Sequence, residues 1–342
     1  MKAKNFDQTQ EPAVFEGGGI TESSARAEGV KLTFGQKFKK SYFARNFKRN
    51  WSYLLFMIPA VVVTFIFAYI PIYGLLIAFQ DYLPGDSILS SDTIWVGFQN
   101  FSRFFEDYRF WTVMQNTFLL CILGFIIGFP LPIIVALLLN STKNKKLSKV
   151  LQTIFNGPHF ISLVVLVGML YLFFGRYGLV NNIADALGAE RYSYFLEPSA
   201  FRPMYILSSN WQDFGWSSII YLAALSGVDQ SQHEAAKIDG ASRFQRILHV
   251  DFPAIAPIVS VMLIMSIGGL MGVGYEKVLL MQTDGNLDTS EIIATYVYKK
   301  GLTGLPDQGF ATAVGLFNSV INLLLLIIAN TIAKRFSENT LF

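Results

Sequence analysis

The chain has 342 residues, of which 52% are hydrophobic, 15% aromatic and only 15% charged. Soluble domains usually carry about 25% charged residues, and here the charges cluster in short segments between long uncharged runs. This distribution excludes an ordinary soluble protein and indicates a polytopic membrane protein. The net charge of +3 does not indicate nucleic-acid binding, because the basic residues flank the apolar runs, where membrane topology explains them.

The N-terminal segment is polar and rich in glutamate and glycine, and it lacks the apolar core that a secretory signal needs. We therefore expect residues 1–30 to form a disordered cytoplasmic tail and residues 31–50 a basic juxtamembrane segment. The single cysteine, Cys121, lies inside an apolar run. It is expected to be a small buried hydrophobe, and no disulfide can form within the chain.

Several uncharged runs are long enough to cross a bilayer, which requires about 20 residues. They cover residues 51–80, 111–140, 151–175, 252–275 and 308–333. A further run at residues 214–228 reaches spanning length only if it is extended back through Asp213 towards Met204. Counting this run predicts an all-α permease domain of six spans over residues 51–336, with residues 337–342 as a cytoplasmic tail.

The placement of lysine and arginine sets the predicted orientation. Basic residues precede the first span, lie between the second and third and between the fourth and fifth, and follow the sixth: Lys31, Lys37, Lys39, Lys40, Arg45, Lys48, Arg49; Lys143, Lys145, Lys146, Lys149; Lys237, Arg243, Arg246; Lys334 and Arg335. The loop at residues 81–109 is largely acidic and aromatic. Both termini of this multi-pass protein of the cell membrane are therefore expected in the cytoplasm.

The segment between the fourth and fifth spans, residues 229–253, predicts two short helices joined by a turn. Ser231 with Glu234, and Ser242 with Gln245, have the spacing of N-terminal capping boxes. Gly240 falls between the two helices, where a residue in the left-handed conformation commonly ends a helix.

The second of these helices has one apolar face, because Phe244, Ile247 and Leu248 follow helical spacing. Pro253 is expected to end this helix and to open the next span. The apolar face needs a cover, and spacing alone does not choose between the protein's own helices, the membrane surface and a cytoplasmic partner.

The same segment closely resembles the EAA motif of ABC-importer permeases. It reads Glu234-Ala235-Ala236, three residues, Gly240, nine residues, and Val250-Asp251-Phe252-Pro253. The family form ends in Ile-x-Leu-Pro, so the chain departs only by Val250 and Phe252. Residues 70–74, 210–225 and 310–317 extend the similarity to the LplB group of oligosaccharide permeases, among the MalF/UgpA-type sugar permeases, over roughly residues 50–342.

This resemblance implies the fold of a type I importer permease, which forms half of a translocation pathway. It also implies a second permease, a cytoplasmic ABC ATPase dimer and an extracellular solute-binding protein that delivers an oligosaccharide. The residues that it assigns to coupling with the ATPase are Glu234, Ala235, Ala236, Asp239, Gly240, Phe244, Ile247, Leu248 and Pro253. Glu234 has a second interpretation as a helix cap alone.

No enzymatic activity, cofactor or metal site is expected in this chain. A phosphate-binding Gly-x-x-x-x-Gly-Lys-[Ser/Thr] loop does not occur in the sequence, so a separate subunit must hydrolyse ATP. The pair His233-Glu234 lacks the second histidine of a zinc-protease helix.

The candidates for the substrate pathway are Asp213, Trp216, Tyr221 and Glu276. An ionisable residue within a span is a functional candidate, although Asp213 has an equal interpretation at the membrane edge. Aromatic faces beside polar groups suit sugar rings, but Trp216 and Tyr221 have an equal interpretation as packing residues. His159 is expected to be an interfacial residue rather than a proton relay.

Two other functions compete with sugar import. An ABC permease for another solute, such as a polyamine, phosphate or glycerol phosphate, would carry the same motif, since only the wider similarity favours sugar. An intramembrane transferase would require paired acidic residues or metal ligands at a membrane face, which the sequence does not show.

Overall fold

In the computed structural model, residues 50–336 are described, except for the side chains of Ser52 and residues 333–336. The predicted all-α class is confirmed over this part of the chain, where the extended structure is one isolated bridge between Gln80 and Trp95. The expectations for residues 1–49 and 337–342 fall outside the described residues.

The chain divides into two units, residues 1–72 and 73–342. The described part of the first unit contains α1 (Trp51–Thr64) and a π-helical turn (Phe65–Tyr69). A 3-10 segment (Ile70–Phe79) begins there and continues into the second unit. Among the side chains described at residues 50–72, none is buried, as expected for an apolar helix without a cover of its own.

The second unit contains the other helices. They are α2 (Gln99–Glu106), α3 (Phe110–Gly128), α4 (Pro130–Ser141), α5 (Lys145–Asn156), α6 (Leu163–Phe174), α7 (Leu179–Ala186), α8 (Pro198–Leu225), α9 (Gln230–Ile238), α10 (Arg243–Arg246), α11 (Phe252–Gly268), α12 (Tyr275–Met281), α13 (Leu287–Ser290), α14 (Ile293–Leu302) and α15 (Gln308–Phe336).

Helices long and apolar enough to cross a membrane number five in the described part of the chain: Tyr53–Phe79, Phe110–Ser141, Leu163–Ala186, Arg243–Gly268 and Gln308–Ile332. The helix α8 has 28 residues and is equally long, but polar side chains in its middle lower its hydropathy. The helix α8 extends back beyond Asp213 to Pro198, and counting it as a span would give the predicted six.

Two predicted runs have different bounds in the structure. The run at residues 151–175 covers two helices, because α5 ends at Asn156 and a 3-10 turn (Gly157–Phe160) precedes α6. Pro158 lies in that turn, where its missing N–H and fixed backbone angle disfavour a continuous α-helix. The fifth run ends at Gly268 rather than at residue 275.

The helix α8 runs through the core of the second unit. One buried cluster joins its first half to α3, α6 and α12, and another joins its second half to α4 and α11. Close approach to α5 depends on Gly215, since a Cβ there would lie 2.1 Å from the carbonyl oxygen of Phe155. Gly215 therefore allows α5 and α8 to approach closely beside the break that precedes α6.

Candidate coupling elbow and substrate pathway

The helical elbow, residues 229–251, begins with α9. The Asp229 side chain accepts a hydrogen bond from the Ser231 N–H at 2.9 Å and caps the helix. This hydrogen bond lowers the pKa of the Asp229 carboxyl. The predicted capping box of Ser231 and Glu234 is therefore wrong, because the helix starts at Gln230 and Ser231 already lies inside its first turn.

The turn between α9 and α10 has the predicted conformation. Gly240 has φ +80°, and the Ala241 N–H donates to the Ala236 carbonyl at 2.9 Å, which is the hydrogen bond of a Schellman helix end. The capping box of Ser242 and Gln245 is confirmed, with both reciprocal hydrogen bonds present. The elbow is thus a doubly capped pair of helices with a defined bend.

The apolar face of the elbow is divided between the surface and the interior. Phe244 is 73% exposed and Leu248 is also exposed, whereas Ile247 packs against the buried cluster of α4, α8 and α11. Ile238, which lies outside the predicted apolar face, is 86% exposed at the end of α9. The surface beside them contains Glu234, Ala235 and Asp239, which are exposed, and Ala236, which is partly buried.

Pro253 does not end the second helix of the elbow, so that half of the prediction is wrong, but it does open the next apolar helix as predicted. A π-helical turn (Ile247–Asp251) connects α10 to α11, and the Phe252 N–H donates to the Ile247 carbonyl. Pro253 lies in the first turn of α11. The wider π turn accommodates the proline and keeps the helix continuous from Arg243 to Gly268.

Asp251 lies at the end of this π turn and is 2% exposed. Its carboxylate lies 3.2 Å from His233 Nε2 on α9 and accepts a hydrogen bond of 3.1 Å from the Asn140 amide at the end of α4. No sequence pattern singles out this residue, since the motif leaves its position free.

Two of the pathway candidates lie together on α8. The Asp213 carboxylate is 3.0 Å from His159 Nδ1, and the His159 ring stacks on Trp216 with centroids 4.5 Å apart and planes 5° from parallel. Phe160 meets the Trp216 ring edge-on at 5.8 Å. Asp213 and Trp216 are exposed and His159 is partly exposed, so this pathway cluster presents an aromatic plane beside a carboxylate.

The other two candidates lie elsewhere. Tyr221 is 3% exposed and packs in the cluster of α4, α8 and α11, which agrees with its interpretation as a packing residue. Glu276 is exposed in the first turn of α12. Beside it, Lys277 is buried and donates to Ser209 Oγ at 2.6 Å and to the Tyr205 carbonyl at 3.2 Å.

The helices long and apolar enough to cross a membrane, together with the exposed helical elbow, fit a membrane transport permease. The chain belongs to the family of binding-protein-dependent transport system inner membrane components, whose pattern matches residues 128–338. That range includes the elbow, the pathway cluster and the helices that hold them. The chain is accordingly a multi-pass membrane protein and a permease subunit of an ABC importer.

Two relatives from Bacillus subtilis (strain 168) match nearly the whole chain. Protein LplB is 40% identical over 88% of this chain and 94% of its own length. The polygalacturonan/rhamnogalacturonan transport system permease protein YteP is 38% identical over 94% and 99%. A crystal structure of a bacterial ABC transporter for import of the acidic polysaccharide alginate matches with a TM-score of 0.79 and 34% identity, covering 87% of this chain and 100% of that chain.

Proposed function

We propose that this chain forms half of the pathway of an ABC importer for an oligosaccharide and couples to a cytoplasmic ATPase through the elbow. The observation that carries the proposal is the exposed apolar surface of Ile238, Phe244 and Leu248 on two capped helices. Exposed apolar patches on an ordered scaffold mark partner sites. The similarity of residues 234–253 to the EAA motif supports an ATPase subunit as the partner.

The geometry of the pathway cluster supports a pathway shared with a second permease. Residues that line a pathway between two subunits are accessible when one subunit is considered alone. Asp213 and Trp216 are exposed in this chain, and His159 is partly exposed. A flat aromatic pair beside a carboxylate suits a sugar ring, whose faces are apolar and whose edges carry hydroxyl groups. The second subunit is proposed to be a different chain, so that the permeases form a heterodimer, and an extracellular binding protein delivers the sugar.

An oligosaccharide substrate is supported by the relatives, since one carries polygalacturonan and rhamnogalacturonan in its name and a solved structure is of an alginate importer. Uptake by the assembled transporter, measured with its binding protein against a panel of oligosaccharides, polyamines and glycerol phosphate, tests this assignment. Transport of a polyamine or glycerol phosphate in preference to every oligosaccharide would contradict it.

The placement of lysine and arginine supports both termini in the cytoplasm. Cysteines introduced by Ser23→Cys and Asn339→Cys should be shielded from an impermeant thiol reagent in intact cells, and Ser90→Cys should react. The native Cys121 is buried and provides little background. Labelling of Asn339→Cys in intact cells would contradict the six-span arrangement.

The docking role is tested with Glu234→Lys and Gly240→Pro in the assembled transporter. Interface hot spots are each worth about 2 kcal/mol or more, roughly thirtyfold in affinity, so we expect the ATPase to be lost from the purified permeases or its stimulated turnover to be abolished. Gly188→Pro is the matched control, because Gly188 has φ +82° and, like Gly240, has open space where a Cβ would lie, with no atom within 4 Å.

The readouts are co-purification of the ATPase and the ATP turnover that loaded binding protein stimulates. Gly188→Pro should retain both. Wild-type recovery and turnover in Glu234→Lys and Gly240→Pro would leave Glu234 as a surface residue of α9 and Gly240 as a turn, and would refute docking.

A further inference from the structure

Three elements meet at the buried carboxylate of Asp251. His233 comes from α9, Asn140 from the end of α4, and Asp251 itself from the π turn that leads into α11. The elbow therefore contacts α4 through the Asp251 side chain, at the point where it continues into α11. Asp251 occupies the position written x in the Ile-x-Leu-Pro ending of the EAA motif. The motif therefore assigns Asp251 no role.

Burial makes this contact specific. The Asp251 side chain is 3% exposed and that of His233 is 17% exposed, so water does little to screen their interaction. Arg246 on α10 is a further positive charge near Asp251, and its Nε is buried with no acceptor among the described residues. The buried Asp251 carboxylate keeps its hydrogen-bond donors in fixed positions. Loss of either donor would leave part of a buried charge without a partner, which is unfavourable.

The apolar surroundings connect the same elements. Ile247 of the π turn packs against the buried cluster of α4, α8 and α11, one turn before Asp251. The helix is continuous from Arg243 to Gly268, so a displacement of the elbow is carried into α11 without a break. Short π segments within α-helices occur frequently at functional sites.

We propose that Asp251 is a positioning residue that transmits movement of α9 to α4 and α11 through its contacts with His233 and Asn140. When the ATPase displaces α9, His233 pulls on Asp251, and Asp251 moves the end of α4 and the start of α11 together. This role rests on the proposed docking of the ATPase to the elbow. It adds the link by which the docked elbow acts on the pathway.

The test is Asp251→Asn in the complete transporter reconstituted in vesicles, since asparagine keeps the shape and removes the charge. We expect the ATPase to co-purify at the wild-type level. Uptake and stimulated ATP turnover should fall at least about tenfold, which corresponds to about 1.4 kcal/mol. Asp185→Asn is the matched control, because Asp185 pairs with Arg191 at the surface of α7, away from the elbow. It should behave as wild type.

A purely structural role of Asp251 predicts a different outcome. In that case Asp251→Asn would lower the amount of assembled complex, and the complex that remained would turn over normally. That result, or wild-type uptake and turnover, would overturn the proposal. Glu234→Lys in the same preparation separates the two hypotheses: an uncoupled Glu234→Lys beside a coupled Asp251→Asn would reject the link and retain docking.

His233 and Asn140 provide a second measurement that does not alter Asp251. His233→Leu and Asn140→Leu should each reduce stimulated turnover, and the double variant should be less impaired than the product of the two effects, because both act through one carboxylate. His233→Gln keeps a donor for Asp251 and should restore turnover. Independent, multiplicative effects, or no rescue by His233→Gln, would overturn the proposal.

Discussion

The helices α3, α13 and α14 form a region that we call the α3–α14 frame. The elbow and this frame differ in the number of polar contacts that connect each of them to neighbouring helices. In the frame, Arg109 pairs with Glu291 at 2.7 Å, and the Asn116 amide donates to the carbonyls of Asp288 and Glu291 at 2.9 and 3.0 Å. The elbow contacts the rest of the bundle through Asp251 and the apolar packing of Ile247, and its second helix continues into α11. Densely bonded regions open only with the whole fold, whereas sparsely bonded ones move separately.

We therefore expect the frame to stay fixed and the elbow to move against it. Substitutions in the frame should therefore reduce stability, and those in the elbow should reduce coupling. Substitutions in the pathway cluster should affect neither stability nor the retention of the ATPase, but should affect uptake.

The largest expected effect is on the stability of the frame. Arg109→Leu leaves Glu291, which is 5% exposed, without its closest cation, and Lys299 at 3.4 Å is its other partner. Breaking a buried ion pair costs about 3–5 kcal/mol, so thermal unfolding of the purified permease should shift strongly downward. Arg103→Leu is the control, because the Arg103–Asp307 pair is exposed and is worth about 0–1 kcal/mol. Equal shifts in both variants would contradict the assignment of a buried frame.

A smaller effect is expected when each of two glycines with the same backbone conformation is replaced by alanine. Gly240→Ala and Gly188→Ala each place a Cβ at a positive φ, with values of +80° and +82°, and strain the backbone by about 1–2 kcal/mol. The two variants should therefore lose similar stability in thermal unfolding. Only Gly240→Ala should also reduce uptake per assembled complex, because only Gly240 lies in the elbow. Equal uptake by the two variants would remove the distinction between the elbow and an ordinary turn.

The smallest expected effect is on the pathway cluster. Asp213→Asn removes the charge beside His159, and we expect uptake to fall roughly tenfold, about 1.4 kcal/mol, with normal abundance and ATPase retention. The exposed Asp213 contributes little to the fold, which is why stability should be unchanged. Uptake is measured with saturated binding protein, beside Asp185→Asn as control. A normal rate would place Asp213 at the membrane edge.

Local sequence patterns predict most of the elbow. The turn at Gly240 and the capping box of Ser242 and Gln245 depend on residues within one or two helical turns, which a sequence displays directly. The sequence spacing favours Ser231 as the N-cap of α9, whereas the N-cap in the structure is Asp229. Aspartate and serine are both good N-cap residues, so the sequence alone does not decide between the two positions. Pro253 resembles a helix break because a sequence does not reveal a π turn.

Contacts between distant residues cannot be predicted in this way. His159 and Asp213 lie 54 positions apart, and Asn140 and Asp251 lie 111 positions apart. No periodicity connects them, because the packing of whole helices brings them together. The break at Gly157 and Pro158 is hidden within a continuous apolar run, although it is the turn that brings His159 to Asp213.

The π turn at Ile247–Asp251 constrains the number of residues in this segment. Each residue advances a helix by about 100°, since an α-helix has 3.6 residues per turn. Removing one residue from the π turn would rotate α9 and α10 by about that angle against α11 and carry His233 away from Asp251. The number of residues between Gly240 and Val250, which is nine, therefore determines the angle between the elbow and α11. Insertions or deletions in this segment should change that angle more than substitutions do.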